Sequence, residues 1–146
     1  MKNTRRLVVI VVLAVLSVHF VVSGGGRTLR VKATYTGQGP IDDQHKIYVS
    51  VFDISYIGHE GVVPIATRSL SQNGQSAGFE NLKQSPVYVA AFYDKAGGYD
   101  QSSDSPPSGS PAGLYGRQPG VADPIAIEEG KTAKIELTFD DTLTMP

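Results

Sequence analysis

Cysteine is absent from this chain of 146 residues, and basic residues are few. Without cysteine there is no disulfide framework, no thiolate metal site, no cysteine nucleophile and no lipoprotein-type lipid attachment. Three of the 13 basic residues lie before residue 7, which leaves ten against 14 acidic residues and a net charge of −4 for the remainder. Such a surface lacks the positive charge that binding to a phosphate backbone requires, so nucleic acid is not expected as a partner.

The N-terminus has the composition of an export signal. Residues 1–6 (MKNTRR) are basic, residues 7–22 (LVVIVVLAVLSVHFVV) are almost entirely apolar, and small residues follow from Ser23. A basic segment followed by an apolar one is the secretory pattern. As a helix the apolar run would rise about 24 Å, which is shorter than the hydrocarbon core of a bilayer but longer than most signal-peptide cores. We therefore predict that residues 1–23 are either a cleaved signal peptide or an N-terminal hydrophobic helix that anchors the chain.

Both alternatives place the rest of the chain on the outer side of the inner membrane. Positive charges ahead of the apolar run keep the N-terminus inside, so the following residues cross the membrane. We expect them to be periplasmic or extracellular, and either free or anchored by residues 7–22 and facing outward. Their length suits one domain, which we place at 29–141, after a linker at 24–28 and before a tail at 142–146.

The hydrophobic period after the N-terminal segment is two, which predicts strands. LRVKATY (29–35) alternates apolar and polar residues, whereas KIYVSVFDI (46–54) and PVYVAAFYD (86–94) are apolar on both faces, as central strands are. The other predicted strands are an edge strand VVPIATRSL (62–70), a return strand AGFENL (77–82) after an Asn-Gly hairpin signal, and a final hairpin of PIAIE (124–128) and TAKIELTF (132–139). We predict an all-β protein, a single antiparallel β-sandwich of about seven strands with a long loop at 95–123.

The inner faces of the two predicted sheets supply a hydrophobic core. Its expected members are Val31, Val49, Val51, Phe79, Val89, Ala91, Ile135 and Leu137. A core of this size is sufficient for a domain of this length without disulfides.

Four stretches, in this order, resemble the small exported bacterial β-sandwich modules of prealbumin-like or carboxypeptidase-regulatory-like type, which include families of unknown function. They are KIYVSVFD (46–53), GFENLKQSPVYVAAFYD (78–94), SPAGLYG (110–116) and PIAIEEGKTAKIELTFDD (124–141). The resemblance implies an Ig-like or prealbumin-like sandwich that acts as an accessory, adhesion or binding module, and it implies no defined reaction. We therefore expect a non-catalytic extracytoplasmic module that binds a cell-envelope protein or glycan, or that supports an envelope structure.

The loop DKAGGYDQSSD (94–104) is the strongest candidate for a metal site. Related modules carry a calcium-binding D-x-N-G-N-G-x-x-D pattern at this point, and the loop keeps carboxylates at Asp94, Asp100 and Asp104. Ca²⁺ prefers six to eight oxygen ligands, and two positions of the pattern lack a side-chain oxygen here. The loop is therefore either a weak Ca²⁺ site or a solvated acidic turn, and no other cofactor is expected.

Three tyrosines lie in or beside the long loop: Tyr93, Tyr99 and Tyr115. Exposed tyrosines near carboxylates can stack on sugar rings or anchor a partner protein, so Tyr99 with Asp94 and Asp100 could form a carbohydrate site. The alternative is that Tyr115 folds the loop back and covers an open sheet edge. We predict that any ligand binds at the end of the sandwich formed by residues 94–120.

The histidines give little support for catalysis. His45 and His59 each have acidic neighbours, as a general base or a Zn²⁺ ligand requires, but no H-x-x-x-H, H-x-H or H-E-x-x-H spacing is present. Prealbumin-like folds include a urate-pathway hydrolase, but the Tyr-Arg-Gly-Ser ending of that enzyme is absent here. We expect that the chain is not an enzyme, and a small hydrolase using His45 or His59 is the less favoured alternative.

Overall fold

The computed structural model describes residues 25–103 and 105–146, so the predicted signal or anchor at 1–23 lies outside the described residues. Seven strands are present: β1 (Arg27–Tyr35), β2 (Ile47–Phe52), β3 (Ala66–Leu70), β4 (Ser76–Leu82), β5 (Tyr88–Tyr93), β6 (Ala112–Leu114) and β7 (Thr132–Phe139). No helix in the described part of the chain is long and apolar enough to cross a bilayer. The all-β prediction is confirmed.

The strands form two packed sheets, one of three strands in the order β4-β1-β7 and one of four in the order β3-β2-β5-β6. The prediction of a wholly antiparallel sandwich is wrong in one place, because β1 and β7 are parallel, with Val31 opposite Ile135. Parallel neighbours need a crossover connection, and here nearly the whole domain lies between the two strands. Alternation within a strand carries no information about the direction of its neighbour, so this pairing could not be read from the sequence.

The predicted core residues are buried between the sheets, except that Ile135 is only partly buried. The two sheets differ in how many faces they bury. In β1 the buried positions alternate with polar ones, whereas in β2 every residue except Ser50 is buried. The outer face of β2 is therefore covered by other parts of the chain, as its two apolar faces in the sequence indicate.

The Asn-Gly signal does not produce the predicted hairpin, because β3 and β4 belong to different sheets. The side chain of Asn73 pairs with the backbone of Tyr35: its Nδ2 donates to the carbonyl oxygen at 2.7 Å, and its Oδ1 accepts from the amide nitrogen at 2.8 Å. Gly74, with a φ of 76°, donates its amide to Ala33. These bonds attach the turn to β1, so the chain crosses from one sheet to the other at this point.

The predicted final hairpin is also wrong. Residues 124–128 form no strand, and Ile125 makes an isolated bridge to Val87 instead. On the side away from β2, β5 pairs with β6, which comes from the predicted long loop and places Gly113 opposite Ala91. A Cβ at Gly113 would collide with Phe139 of β7, so this position needs glycine.

The C-terminal tail is part of the sandwich. The amide of Ala112 donates to the carbonyl of Leu143, and the amide of Met145 donates to the carbonyl of Ser110, both at 2.8 Å. The tail therefore covers the outer edge of β6, which would otherwise present unpaired backbone groups.

The sandwich has two ends. The proximal end, where β1 begins, includes the connections 53–65, 83–87 and 115–131; the distal end includes 36–46, 71–75, 94–103 and 140–146. Arg27 ties the proximal connections together, because its Nε donates to the carbonyl of Ile127 and its Nη1 to that of Lys83. β1 and β5 run towards the distal end, where the rings of Tyr35 and Tyr93 pack with centroids 4.4 Å apart.

Candidate functional site

A shallow groove of about 450 Å³ lies at the distal end. It is lined by Asp43, Gln44, Lys46, Tyr48, Ala96, Gly97, Gly98 and Tyr99. Its two walls precede β2 and follow β5, and they lie side by side because these strands are antiparallel neighbours, with Ile47 opposite Tyr93. The groove includes residues 96–99 of the segment 94–120 that was predicted for ligand binding, whereas 115–120 run along β5 towards the other end. Gln44, Lys46 and Tyr48 were not among the predicted site residues.

Asp94 holds one wall of this groove from within. The residue is fully buried, and its Oδ1 accepts the amide of Gly97 at 3.1 Å while its Oδ2 accepts the amide of Tyr99 at 2.7 Å. Its own amide donates to the carbonyl of Lys46 in the opposite wall at 2.9 Å. The side chain of Asp94 therefore fixes the backbone of residues 97–99 in one wall, and its main-chain amide is bonded to the other wall.

The other predicted calcium ligands do not join Asp94. Asp100 is exposed and accepts the amide of Ser102 at 3.0 Å and its hydroxyl at 2.6 Å, which lowers the pKa of the Asp100 carboxyl. Asp104 lies outside the described residues. Among residues 25–103 and 105–146, no group of three or more His, Asp or Glu side chains is placed to hold a metal ion. The calcium site remains a prediction.

Tyr99 is half-buried and forms an aromatic cluster with the outer face of the four-stranded sheet. Its ring meets those of Tyr48 and Phe92 edge-on, at centroid distances of 4.9 and 5.0 Å. The hydroxyl of Tyr48 donates to the carbonyl of Tyr99 at 3.0 Å, and burial raises the pKa of both tyrosines. The cluster gives the groove an aromatic wall that is held in place before any ligand binds.

The other two tyrosines from the sequence analysis pack against the sandwich. Tyr93 is fully buried, and its hydroxyl donates to the carbonyl of Pro40 at 2.7 Å. Tyr115 is partly buried against the core, beside the strand β6 that covers the edge of β5. This arrangement agrees with the expectation that Tyr115 folds the loop back over an open edge.

The two candidate histidines lie at opposite ends of the sandwich. His45 Nδ1 is 3.0 Å from Asp42 Oδ1, and the same oxygen accepts the amides of Gln44 and His45. The amides of His45 and Gln44 and the His45 ring lower the pKa of the Asp42 carboxyl. His45 borders the groove, because a Cβ at Gly97 would lie 3.3 Å from its Nε2. His59 is exposed in the proximal connection 53–65, so the two histidines do not share a site.

One catalytic pattern in the sequence was missed by the sequence analysis. GQSAG at 74–78 fits G-x-S-x-G, the pattern of the nucleophile elbow. That elbow is a sharp turn from a strand into a helix, but here the chain enters strand β4 and Ser76 lies opposite Lys32 in the three-stranded sheet. The structural context therefore contradicts a nucleophile elbow, and the match arises by chance.

Comparison with known proteins finds no relative: no family model, no curated protein and no solved structure matches the chain. The two-sheet, all-β fold is established by the structure alone. Any function must therefore be argued from the residues of this chain.

Proposed function

We propose that the chain is an exported, non-catalytic β-sandwich module whose distal groove binds a cell-envelope partner. The basic segment and apolar run at the N-terminus support export, as does the resemblance to exported prealbumin-like or carboxypeptidase-regulatory-like modules. The single observation that carries the binding role is the groove itself, one wall of which is held by the buried side chain of Asp94. A site that is already formed loses little conformational entropy when its ligand binds.

The composition of the groove favours a glycan among the envelope partners. Asp43, Gln44 and Lys46 offer an acceptor, an amide and a donor beside the half-buried ring of Tyr99. Polar side chains that hydrogen-bond hydroxyls, next to an aromatic surface that packs on a sugar ring, are the groups that carbohydrate recognition requires. The shallow shape suits a ligand that lies across the groove, as a polysaccharide segment does.

A co-sedimentation assay with purified peptidoglycan tests this proposal. The double variant Asp43→Ala/Lys46→Ala removes both charges from the groove, and we expect it to weaken retention about tenfold or more, equivalent to about 1.4 kcal/mol. The matched control is Lys134→Ala/Glu136→Ala, which removes one charge of each sign from the outer face of the three-stranded sheet. Equal losses in both variants, or retention unchanged in the groove variant, contradict binding at this site.

A non-catalytic role is supported by the contacts of His45. Its ring faces Asp42, and the same Asp42 oxygen accepts the backbone amides of Gln44 and His45, so the pair stabilises its own turn. The alternative of a small hydrolase makes a different prediction. If the chain turns over a chromogenic ester, and either His45→Ala or His59→Ala abolishes this turnover, the non-catalytic proposal is wrong. The two histidines lie at opposite ends of the sandwich, so each variant is the control for the other.

A calcium-dependent version of the binding module is tested by thermal melting with millimolar Ca²⁺ and with chelator. A bound ion stabilises the native state by about 2.7 kcal/mol at a hundredfold excess over its dissociation constant. Asp94→Asn is a poor variant for this test, because Asp94 also holds the amides of Gly97 and Tyr99. Asp100→Asn is preferable, since Asp100 is exposed. A rise in midpoint that this variant abolishes supports calcium binding, and no rise contradicts it.

A further inference from the structure

Large apolar side chains are exposed in one segment of the proximal end. Residues 53–65, here named the proximal loop, connect β2 and β3. Tyr56 is 69% exposed and Val63 is 67% exposed, and Ile54 and Ile65 are exposed beside them. Elsewhere among the described residues, only Val121 and Leu143 are large apolar residues with comparable exposure. A concentration of this kind in one loop marks a contact surface rather than the scattered exposure that is normal for proteins.

The proximal loop has a defined backbone that presents these side chains outward. The amide of His59 donates to the carbonyl of Tyr56, and the amide of Val62 donates to the carbonyl of His59. Gly58 and Gly61 have φ values of 87° and 80°, and a Cβ at either position would meet no atom within 4 Å. The glycines are therefore required by the two turns and not by close packing, so the loop stands away from the sandwich.

The proximal loop lies at the end of the sandwich where the N-terminal segment joins. It leaves β2 at Phe52, which is opposite Tyr88 at the start of β5. The preceding residue, Val87, bridges to Ile125, and two residues further on the carbonyl of Ile127 accepts a bond from Arg27 at the start of β1. The loop and the start of β1 therefore share one end.

The link between the apolar run and the sandwich is short. Gly25 is already attached to the domain, since its carbonyl accepts the amide of Gly130 at 2.8 Å. The apolar run ends at Val22, three residues earlier. Three extended residues span at most about 11 Å. If residues 7–22 remain in the membrane, the proximal end is held within this distance of the bilayer surface.

We infer that the proximal loop is a second membrane contact, with Tyr56 and Val63 inserted at the lipid interface beside the anchor. The inference rests on retention of residues 7–22 as the anchor in the proposed exported state. Tyrosine suits this position, because it places an apolar ring towards the acyl chains and a hydroxyl towards water. Binding of an apolar loop at the interface grows with the apolar area that it buries.

The partner of the proximal loop is a lipid surface, and the contact does not require anionic lipids. Exposed acidic residues of the proximal end outnumber the exposed lysines, with Asp53, Glu60, Glu128 and Glu129 against Lys83 and Lys131. Attraction to acidic headgroups is therefore not expected, and the apolar side chains supply the contact. With two contacts, the sandwich has a fixed orientation, and the distal groove faces away from the membrane towards the envelope ligand.

The absence of cysteine makes a direct test possible in the full chain. Residues 1–146 are inserted into phosphatidylcholine vesicles as single-cysteine variants that carry a fluorophore, and a nitroxide attached to the lipid near the headgroup is the quencher. Tyr56→Cys and Val63→Cys report the proximal loop, and Gln101→Cys in the exposed distal loop is the control. We expect blue-shifted emission and strong quenching at 56 and 63, little of either at 101, and no increase in quenching when phosphatidylglycerol is added.

Vesicle flotation separates the two ways in which the inference could fail. If the full chain floats with the vesicles but positions 56 and 63 are quenched no more than 101, the loop contact is overturned and the anchor stands. If the chain does not float, both the anchor and the loop contact are overturned. If emission at 56 is blue-shifted without lipid quenching and the shift disappears on dilution, a second copy of the chain covers the loop and the lipid contact is wrong.

Discussion

The long connections at the distal and proximal ends of the sandwich differ in what holds them and in how much apolar surface they expose. At the distal end, side chains hold the loops in place: Asp94 accepts two amides of its own loop, and the hydroxyl of Tyr35 donates to Asp141 after β7. At the proximal end, Arg27 ties two connections together, but the loop 53–65 exposes its apolar side chains. A connection of the first kind keeps its shape without a partner, as a binding groove must. A connection of the second kind leaves apolar surface that only a partner or a membrane can remove from water.

The largest expected effect comes from breaking the distal end at Asp94. Asp94→Ala removes the acceptor of two amides in a fully buried site, and we expect it to lower the free energy of unfolding by about 2–3 kcal/mol. Urea denaturation measures this change. Asp100→Ala is the matched control, because this carboxylate is exposed and bonds only to Ser102, and it should have little effect. Equal effects in the two variants would show that Asp94 does not hold the groove.

The contact between Tyr35 and Asp141 gives the next largest effect. Tyr35 is buried, and Asp141 also accepts the amide of Gln38, so the pair joins the end of β1 to the residues after β7. We expect Tyr35→Phe to cost about 1 kcal/mol in the free energy of unfolding. A double-mutant cycle with Asp141→Ala, which removes the acceptor, measures the coupling. If Tyr35→Phe costs as much in the Asp141→Ala background as in the wild type, the contact contributes nothing to stability.

The same pair predicts a pH dependence of stability that originates at the distal end. The Tyr35 hydroxyl and the amide of Gln38 lower the pKa of the Asp141 carboxyl. The contribution of this carboxyl to the free energy of unfolding is therefore present above its pKa in the unfolded chain, about 3.9. It is lost as the pH falls through the pKa in the folded protein. Burial, followed by the bond to Asp141, raises the pKa of Tyr35. The contribution of Tyr35 to the free energy of unfolding is therefore present below about pH 10, and it is lost as the pH rises through the pKa of Tyr35 in the folded protein.

Denaturation curves measured across the pH range test the predicted direction of the stability change at both acid and alkaline pH. In Tyr35→Phe, we expect a smaller loss of stability at alkaline pH than in the wild type, because the residue that resists ionisation is gone. The acid limb of Asp141→Asn should likewise be shallower. Acid and alkaline limbs that are identical in the wild type and both variants contradict the assignment of these shifts.

The smallest effect on stability is expected at the proximal end. Tyr56→Ser/Val63→Ser replaces two side chains that are mostly exposed, and we expect the free energy of unfolding to change by less than about 0.5 kcal/mol. The same double variant should weaken the loop's lipid contact, which separates a binding role from a structural one. A large loss of stability would show that the proximal loop is part of the fold and would remove the contrast between the two ends.

The sequence predicted the strands better than it predicted their partners. The alternation in 29–35 and 132–139 and the continuous apolar runs in 46–54 and 86–94 correspond to β1, β7, β2 and β5. These signals are local, because each residue position faces the core or solvent according to the period of its own strand. The strand β6 was missed because its three residues carry too few positions to show a period.

The groove contains part of the segment predicted to bind a ligand, but most of its lining residues were not predicted. The end bearing residues 94–103 does hold a groove, yet Asp94, expected as a metal ligand, is enclosed and bonded to its own loop. An acidic residue after a strand looks the same in sequence whether its carboxylate faces solvent or backbone amides. Gln44, Lys46 and Tyr48 become neighbours of this loop only because β2 and β5 pair. Their role in the groove is therefore a consequence of register.

The sequence by itself determined the all-β class, most of the strand positions and part of the core, because burial in a strand follows from its own apolar pattern. Only the tertiary structure decided that β1 and β7 are parallel, that the Asn73 turn joins two sheets and that residues 112–114 complete the four-stranded sheet. These features depend on contacts between residues far apart in the chain. They are selected by how the two sheets pack as a whole, and no local period encodes that choice.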